Sequence, residues 1–173
     1  MISKIEEGLE KFKDKIIKQH IFNFYLNISH TYFAVEDYSK ALLWINKLFA
    51  LKEINTRQDI QALARIYNLI IHFELKNSLL LPYSALSTYR FLNKRNTLYK
   101  SEKIILRFIK NYPSLAGQQE IIAAFKELKN EISVLLNDPF EKRAFEFFDL
   151  MSWLESKIEK KSFAEIVREK AIG

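Results

Sequence analysis

Three histidines, His20, His30 and His72, are the side chains of this sequence that could do proton-transfer or metal chemistry near neutral pH. None has a second histidine four residues away, and neither HExxH nor CxxC occurs, so the spacing of a helical metal site is missing. The chain has no Cys, which excludes thiolate ligands, Cys nucleophiles and disulfides. We therefore expect surface or partly packed histidines, with no metal and no cofactor.

Adjacent carboxylates such as Glu6-Glu7 and Glu36-Asp37 are the next candidates for acid–base chemistry. They fall at predicted helix starts and corners, where a carboxylate favours the positive helix end and solvent. A general acid–base pair needs a cleft and a perturbed environment, which nothing in the pattern indicates. The sequence therefore predicts a protein that is not an enzyme.

Basic residues are concentrated in the middle of the chain. Residues 76–112 contain eight Lys/Arg and a single acidic residue, whereas 113–173 contain nine Lys/Arg and eleven Asp/Glu. At about 100° per residue, the four cations of the stretch 100–110 share one helix face. The predicted basic face comprises Arg90, Lys94, Arg95, Lys100, Lys103, Arg107 and Lys110. Such a face attracts nucleic acid, acidic peptides or an acidic surface of the same protein, or is simply solvated. No helix-turn-helix or RNP-type signature accompanies it.

Aromatic residues make up 14% of the chain, and the stretch FEFFDLMSWL carries several of them. A helix that is apolar on more than one side is either sandwiched in a core or exposed to a partner. We expect this helix to cap the open end of a helical stack. The alternative is a homodimer or docking interface through residues 140–154.

Gly and Pro number only three each among 173 residues, which favours an all-helical chain over one with hairpin turns. The sequence contains no stretch of about 18 apolar residues, which is the length needed to span a membrane. The N-terminal MISKIEEGLEKFKDKIIKQ alternates charged and apolar residues and lacks the apolar core of a signal peptide. We expect a cytoplasmic protein.

Hydrophobic periodicity and capping signals predict about eight helices and no strand. Residues 9–35 form either one long helix or two that meet at Gln19-His20. The later helices are predicted over 38–51, 60–75, 79–92, from Asn96 or Thr97 to 111, 118–136, 139–160, and from a capping box at Ser162.

Two predicted helix corners, YFAVED at 32–37 and HFELKN at 72–77, lie about 40 residues apart. Residues 22–55 resemble a tetratricopeptide (TPR) repeat. The matching residues are Tyr25, Ile28, Ser29 and Tyr32 in the first helix, and Asp37, Tyr38, Ala41, Ile45 and Leu48 in the second. Small side chains at Ser29 and Ala41 let two antiparallel helices approach closely. The chain departs from the family pattern at Glu36, where the family has Gly, and at Glu53, where it usually has Pro.

A looser likeness extends from YNLIIHFEL to FAEIVREK, which is similar to the C-terminal part of uncharacterised bacterial TPR-like proteins. These resemblances imply an all-α, right-handed superhelical stack of antiparallel helical hairpins in one domain, 1–173. Its units would be the repeat 22–55, degenerate units 60–94 and 97–137, and capping helices 139–172.

The TPR resemblance implies a non-catalytic scaffold or adaptor for a protein or peptide, with no membrane contact. If the family's groove applies, its lining is Asn23, Leu26, His30, Phe33, Ile66, Ile70 and Phe73. The alternative is an anion- or nucleic-acid-binding module that uses the basic face.

Overall fold

The computed structural model describes residues 2–12, 15–16, 18–51, 58–94, 99–141, 145 and 147–172, and these residues form helices and no strand. The predicted all-α class is therefore confirmed. The helices are α1 (Ile2–Phe12), α2 (Lys18–Ala34), α3 (Tyr38–Phe49), α4 (Gln58–Glu74), α5 (Leu81–Asn93), α6 (Lys100–Asn111), α7 (Gln118–Leu135), α8 (Leu150–Glu159) and α9 (Phe163–Ile172), with a 3-10 turn at Tyr112–Ser114. Contacts divide the chain into two compact units, Met1–Gln61 and Ala62–Gly173. The prediction of one domain stays a prediction.

The first unit is built on the hairpin of α2 and α3. Ser29 and Ala41 are both fully buried, and the Ser29 hydroxyl donates to the Ala41 carbonyl at 2.8 Å. The expected close approach of the two helices at these small residues is confirmed. Leu9 of α1 joins Ile28 and Trp44 in the core of this unit. The Lys47 ammonium lies 3.8 Å from the centre of the Trp44 ring.

The two predicted corners have the same backbone geometry. Glu36 and Lys76 adopt left-handed conformations, with φ of 61° and 55°. The Glu36 amide donates to the Phe33 carbonyl at 2.9 Å, and the Lys76 amide donates to Phe73 at 3.0 Å. The residues that follow them donate back to the fifth residue before, as in a Schellman helix end. Glu36 thus occupies a conformation that glycine favours, at the place where the resemblance expects glycine.

The second unit runs from Ala62 through α9, and a partly buried polar contact links its α4 and α8. The Trp153 indole N–H donates to the Glu74 carboxylate at 2.6 Å, and the Lys157 ammonium donates to the same carboxylate at 2.6 Å. Trp153 is 1% exposed, and its ring lies 5.7 Å from that of Phe125 on α7. Since α4 and α8 are far apart in sequence, this contact fixes the C-terminal helices onto the rest of their unit.

The buried carboxylate of Glu141 accepts hydrogen bonds from the first amides of α6. It accepts from the amides of Lys100 at 2.7 Å and Ser101 at 3.1 Å, and from the Ser101 hydroxyl at 2.7 Å. Glu141 is only 1% exposed, so these bonds satisfy a charge that is shielded from water. A residue about 40 positions along the chain therefore adds to the local cap of α6, in which the Glu102 carboxylate accepts from the Tyr99 amide at 3.1 Å. The sequence predicted the cap at Asn96 or Thr97. Both of those residues lie outside the described ranges.

Two predicted boundaries are wrong. The α1–α2 joint lies before Lys18, not at Gln19-His20, because α1 ends at Phe12. The amides of Lys15 and Ile16 both donate to the Phe12 carbonyl, which ends the helix in a turn. The continuous helix predicted over 139–160 is interrupted at Phe148-Asp149, and α8 begins afresh at Leu150. The Asp149 carboxylate caps it by accepting from the Ser152 amide at 3.0 Å. By contrast, the capping box of Ser162 and Glu165 is confirmed.

The aromatic segment 140–154 places most of its large side chains inside the second unit. Phe148, Leu150, Trp153 and Leu154 are buried, whereas Phe140 is 55% exposed. The Phe148 ring stacks on Phe163 of α9 at 5.8 Å, so α9 covers part of this segment. The capping role of this segment and the homodimer through 140–154 both stay predictions. Within the described ranges, none of the helices has both the length and the apolar character needed to cross a bilayer.

Candidate functional site

Helix α5 packs by one narrow face. Its buried residues are Leu81, Ala85, Thr88 and Leu92, which recur at steps of three and four. Pro82 stands in the first turn, where its missing N–H costs no helical hydrogen bond, as the sequence predicts. This face packs against the rest of the second unit, where α5 contacts α6. The opposite side of α5 is exposed and can contact a partner.

The outward side of α5 and the turn before it carry large apolar side chains. Five of the fourteen exposed large apolar residues in the described part of the chain lie between residues 79 and 89. Their exposed fractions are Leu79 85%, Leu80 54%, Tyr83 76%, Leu86 47% and Tyr89 46%. Single exposed apolar residues are ordinary, but several close together in one part of a surface are typical of an interaction site.

Cations continue this apolar face along the helix. At about 100° per residue, Arg90 lies within about 20° of Tyr83, and Leu86 lies within about 60°. Arg90 and Lys94 are exposed, and they line a shallow groove of about 370 Å³ together with Tyr83, Leu86, Ser87, Phe91 and Arg65 of α4. The Arg65 guanidinium lies 4.3 Å from the Phe91 ring centre. Tyr89 lies about 120° from Tyr83, toward another side of the helix. We call Leu79, Leu80, Tyr83, Leu86, Arg90 and Lys94 the α5 face.

The predicted basic face on α6 is exposed as expected. Lys100, Lys103, Arg107 and Lys110 are all exposed, while Ile105 on another side is buried. Arg107 forms an ion pair with Glu131 of α7, so one member of the face is partly neutralised within the unit. Arg90 and Lys94 belong to the neighbouring helix, and Arg95 lies outside the described residues. The use of this face in binding stays a prediction.

The predicted groove residues fall in both units and are largely covered. In the first unit Asn23 is exposed, Leu26 and His30 are half-buried, and Phe33 is 1% exposed with its ring 5.1 Å from that of Tyr38. In this structure Phe33 offers little surface to a partner.

The three groove residues of the second unit, Ile66, Ile70 and Phe73, are also buried. Ile66 and Ile70 line a small cavity of about 30 Å³. Phe73 lines an open cleft of about 480 Å³, which it shares with Tyr112, Phe125 and Lys157. Burial and the nearby Glu74 charge raise the pKa of Tyr112. The groove as a partner site stays a prediction.

The histidines differ in their surroundings. His20 is exposed. Burial lowers the pKa of His30 to about 4, so His30 is neutral at physiological pH. Burial also lowers the pKa of His72, whose Nδ1 accepts from the Asn77 amide group at 2.9 Å. Across the described ranges, His, Cys, Asp and Glu side chains do not gather in threes with metal-binding geometry.

The apolar half of the α5 face is the feature that sequence reasoning missed. The sequence signal was present, since α5 is apolar on two sides at helical spacing. Periodicity alone could not tell which of the two sides is covered by neighbouring helices. Comparisons of the chain with protein-family models, curated protein sequences and solved structures give no match.

Proposed function

We propose that this chain is a non-catalytic protein-interaction module, a scaffold or adaptor that binds a protein or peptide partner. The observation that carries the proposal is the exposed apolar half of the α5 face, with Leu79 at 85% and Tyr83 at 76% exposure. Burying large side chains of this kind contributes about 25 cal/mol per Å² of apolar area, which is the main driving force of protein association. A partner that covers this face would remove an unfavourable contact with water.

The proposal includes a TPR-like architecture and a cytoplasmic setting. The likeness of the two corners at Glu36 and Lys76, with the same conformation and the same hydrogen bonds 40 residues apart, supports a repeated helical hairpin. A right-handed superhelical stack of such hairpins is the form that the TPR resemblance implies. Proteins of this architecture present extended surfaces for binding rather than enclosed catalytic pockets.

The alternative function is anion or nucleic-acid binding through the basic face of residues 90–110. The exposure of Lys100, Lys103 and Lys110 along one helix favours it. Phosphate binding of this kind releases counterions and weakens steeply as salt is raised. An apolar interface does not share this steep dependence.

The test is affinity capture from nuclease-treated lysate of cells that make this protein. Wild type is compared with Tyr83→Ser/Leu86→Ser, and with Val134→Ser, a control at an apolar residue on α7 that is 78% exposed. We expect a discrete protein that wild type and the control recover and the double variant loses. Recovery that requires omission of nuclease and is lost in Lys103→Glu/Lys110→Glu would replace this proposal with the nucleic-acid alternative.

A further inference from the structure

We infer that the α5 face is a docking site for an acidic, apolar peptide segment of another protein, one that carries Asp or Glu beside large apolar side chains. The inference rests on the proposed function and adds the chemistry of the partner. Its basis is the combination, on a single helix face, of apolar side chains and cations.

The two chemistries lie in a defined order along α5 and the turn before it. The apolar end is formed by Leu79, Leu80 and Tyr83, and the helix then continues through Leu86 to the cationic end at Arg90 and Lys94. Since Arg90 and Lys94 follow Tyr83 at steps of seven and four, they lie on the same side of the helix. A bound segment that buries its apolar side chains against Tyr83 and Leu86 therefore places its polar residues next to two positive charges.

Charge complementarity identifies those polar residues as acidic. Residues 75–101 contain no Asp or Glu, while Lys76, Arg90, Lys94, Arg95 and Lys100 all lie in this stretch. In the described part of the second unit, ion pairs lie on other helices, among them Arg107–Glu131, Lys129–Glu155 and Lys157–Glu74. Carboxylates on the partner would supply the opposite charge that this stretch lacks, and would speed association as well as orient it.

The same charges argue against a second copy of the chain as the occupant. A symmetric dimer would bring the same patch of each copy together, so its interface would hold Arg90 and Lys94 twice over, with no Asp or Glu from residues 75–101 to offset them. Like charges that face each other across an interface oppose binding. The apolar residues likewise argue against nucleic acid, whose phosphates would satisfy the cations and leave Leu79, Leu80 and Leu86 uncovered.

The experiment is a selection from a displayed library of random peptides of about 15 residues, which is long enough for a helix to form on binding. The full chain is the target. We expect the selected peptides to be enriched in Asp or Glu together with Leu, Ile, Phe or Trp. Synthetic copies are then measured by fluorescence anisotropy against wild type and variants, and circular dichroism verifies that each variant is folded.

Three variants and a control define the site. Arg90→Glu/Lys94→Glu should weaken the acidic peptides about tenfold or more, which is about 1.4 kcal/mol. Copies with Lys in place of the acidic residues should bind this charge-reversed variant better than they bind wild type. Tyr83→Ser/Leu86→Ser and Leu79→Ser/Leu80→Ser should each weaken binding about tenfold. Lys103→Glu/Lys110→Glu, an equal charge change on α6, should alter affinity by less than about threefold.

Several results would overturn the inference. One is a set of selected peptides without acidic enrichment, or peptides whose affinity is the same for wild type and the charge-reversed variant. Another is tighter binding, lost in the same α5 variants, to single-stranded RNA or to vesicles that contain phosphatidylglycerol. A third is a dimer, detected by sedimentation, that the α5 variants dissociate. If lysate capture through Tyr83 and Leu86 succeeds while the peptides lack acidic enrichment, the inferred acidic chemistry of the partner is rejected. The proposed protein-interaction function is then retained. Failure of both experiments would overturn both.

Discussion

At the scale of single residues, Glu36 and Lys76 hold a strained left-handed conformation that a glycine would adopt without strain. Glu36 and Lys76 have Cβ atoms, which make positive φ unfavourable by about 1–2 kcal/mol, yet the hydrogen bonds of both helix ends require it. Glycine has no such penalty, although it loses more backbone entropy on folding. The difference between these two effects predicts the outcome of a substitution.

We predict that Lys76→Gly raises the free energy of unfolding by about 0.5–1 kcal/mol, because relief of the steric penalty exceeds the added entropy cost. Lys76→Ala keeps the Cβ atom and is the matched control, for which we expect no gain. Urea denaturation followed by circular dichroism measures both. A glycine variant no more stable than the alanine variant would contradict this account of the corner.

His30 predicts a pH dependence of stability. Its pKa is lowered by burial from 6.5 to about 4, so between these values the unfolded chain binds a proton that the folded chain does not. The free energy of unfolding therefore falls as the pH falls through this window, by about 2–3 kcal/mol from this residue between pH 7.5 and 4.5.

His30→Gln should remove this part of the pH dependence, whereas His20→Gln, at an exposed position, should keep the wild-type slope. Urea titrations at pH 7.5 and 4.5 give the comparison. Carboxylates titrate in the same range in all three proteins, so the quantity of interest is the difference between slopes. Identical slopes for wild type and His30→Gln would refute the assigned burial effect.

At the scale of helices, the sequence predicted most elements correctly but did not reveal caps that come from afar or are hidden by apolar neighbours. Gln118–Leu135 and the Ser162–Glu165 capping box carry their signals locally. The capping residue Asp149 stands between Phe148 and Leu150, so hydrophobic periodicity predicted a helix that continues through it. Glu141 acts on an amide about 40 residues away, which local patterns cannot show.

We predict that Asp149→Ala lowers the free energy of unfolding by about 1 kcal/mol, because the first turn of α8 loses its cap. Asp149→Asn keeps an oxygen acceptor at the same place and should cost only a few tenths of a kcal/mol. Chemical denaturation of the two variants beside wild type distinguishes them. An equal loss in both would assign the effect to charge rather than to capping.

Helix α9 provides a test of packing with neighbouring control positions. Ile166 is 3% exposed and Val167 is 37% exposed. We expect Ile166→Ala to cost about 2–4 kcal/mol through lost burial and the cavity it leaves, and Val167→Ala to cost about 0.5 kcal/mol or less. Thermal and urea unfolding give both values. A small cost at Ile166 would mean that α9 does not cap this unit.

At the scale of the whole molecule, charge is distributed so that two kinds of anionic probe should respond differently. The chain has a net charge of +6, and residues 76–112 carry the excess. A polyanion responds to the summed field of this region, whereas a short peptide responds to the groups it touches. The fold class was predictable from composition, but the α5 face was not, because exposure depends on which helices cover each side.

We predict that Arg90→Glu/Lys94→Glu and Lys103→Glu/Lys110→Glu elute earlier than wild type from immobilised heparin, and by similar salt shifts, since each pair changes the net charge equally. Only the α5 pair should affect binding of the acidic peptides. The salt gradient and the anisotropy measurements together test this contrast. A heparin shift confined to the α6 pair would indicate a specific polyanion site on that helix.

The two tryptophans of the chain, Trp44 and Trp153, lie one in each compact unit, and both are buried at 2% and 1% exposure. Each indole has a different charged neighbour, the Lys47 ammonium over the ring of Trp44 and the Glu74 carboxylate at the N–H of Trp153. The chain therefore contains a natural optical reporter for each half. In Trp44→Phe and Trp153→Phe, the remaining fluorescence follows one unit alone, so every unfolding transition can be assigned to the unit in which it occurs.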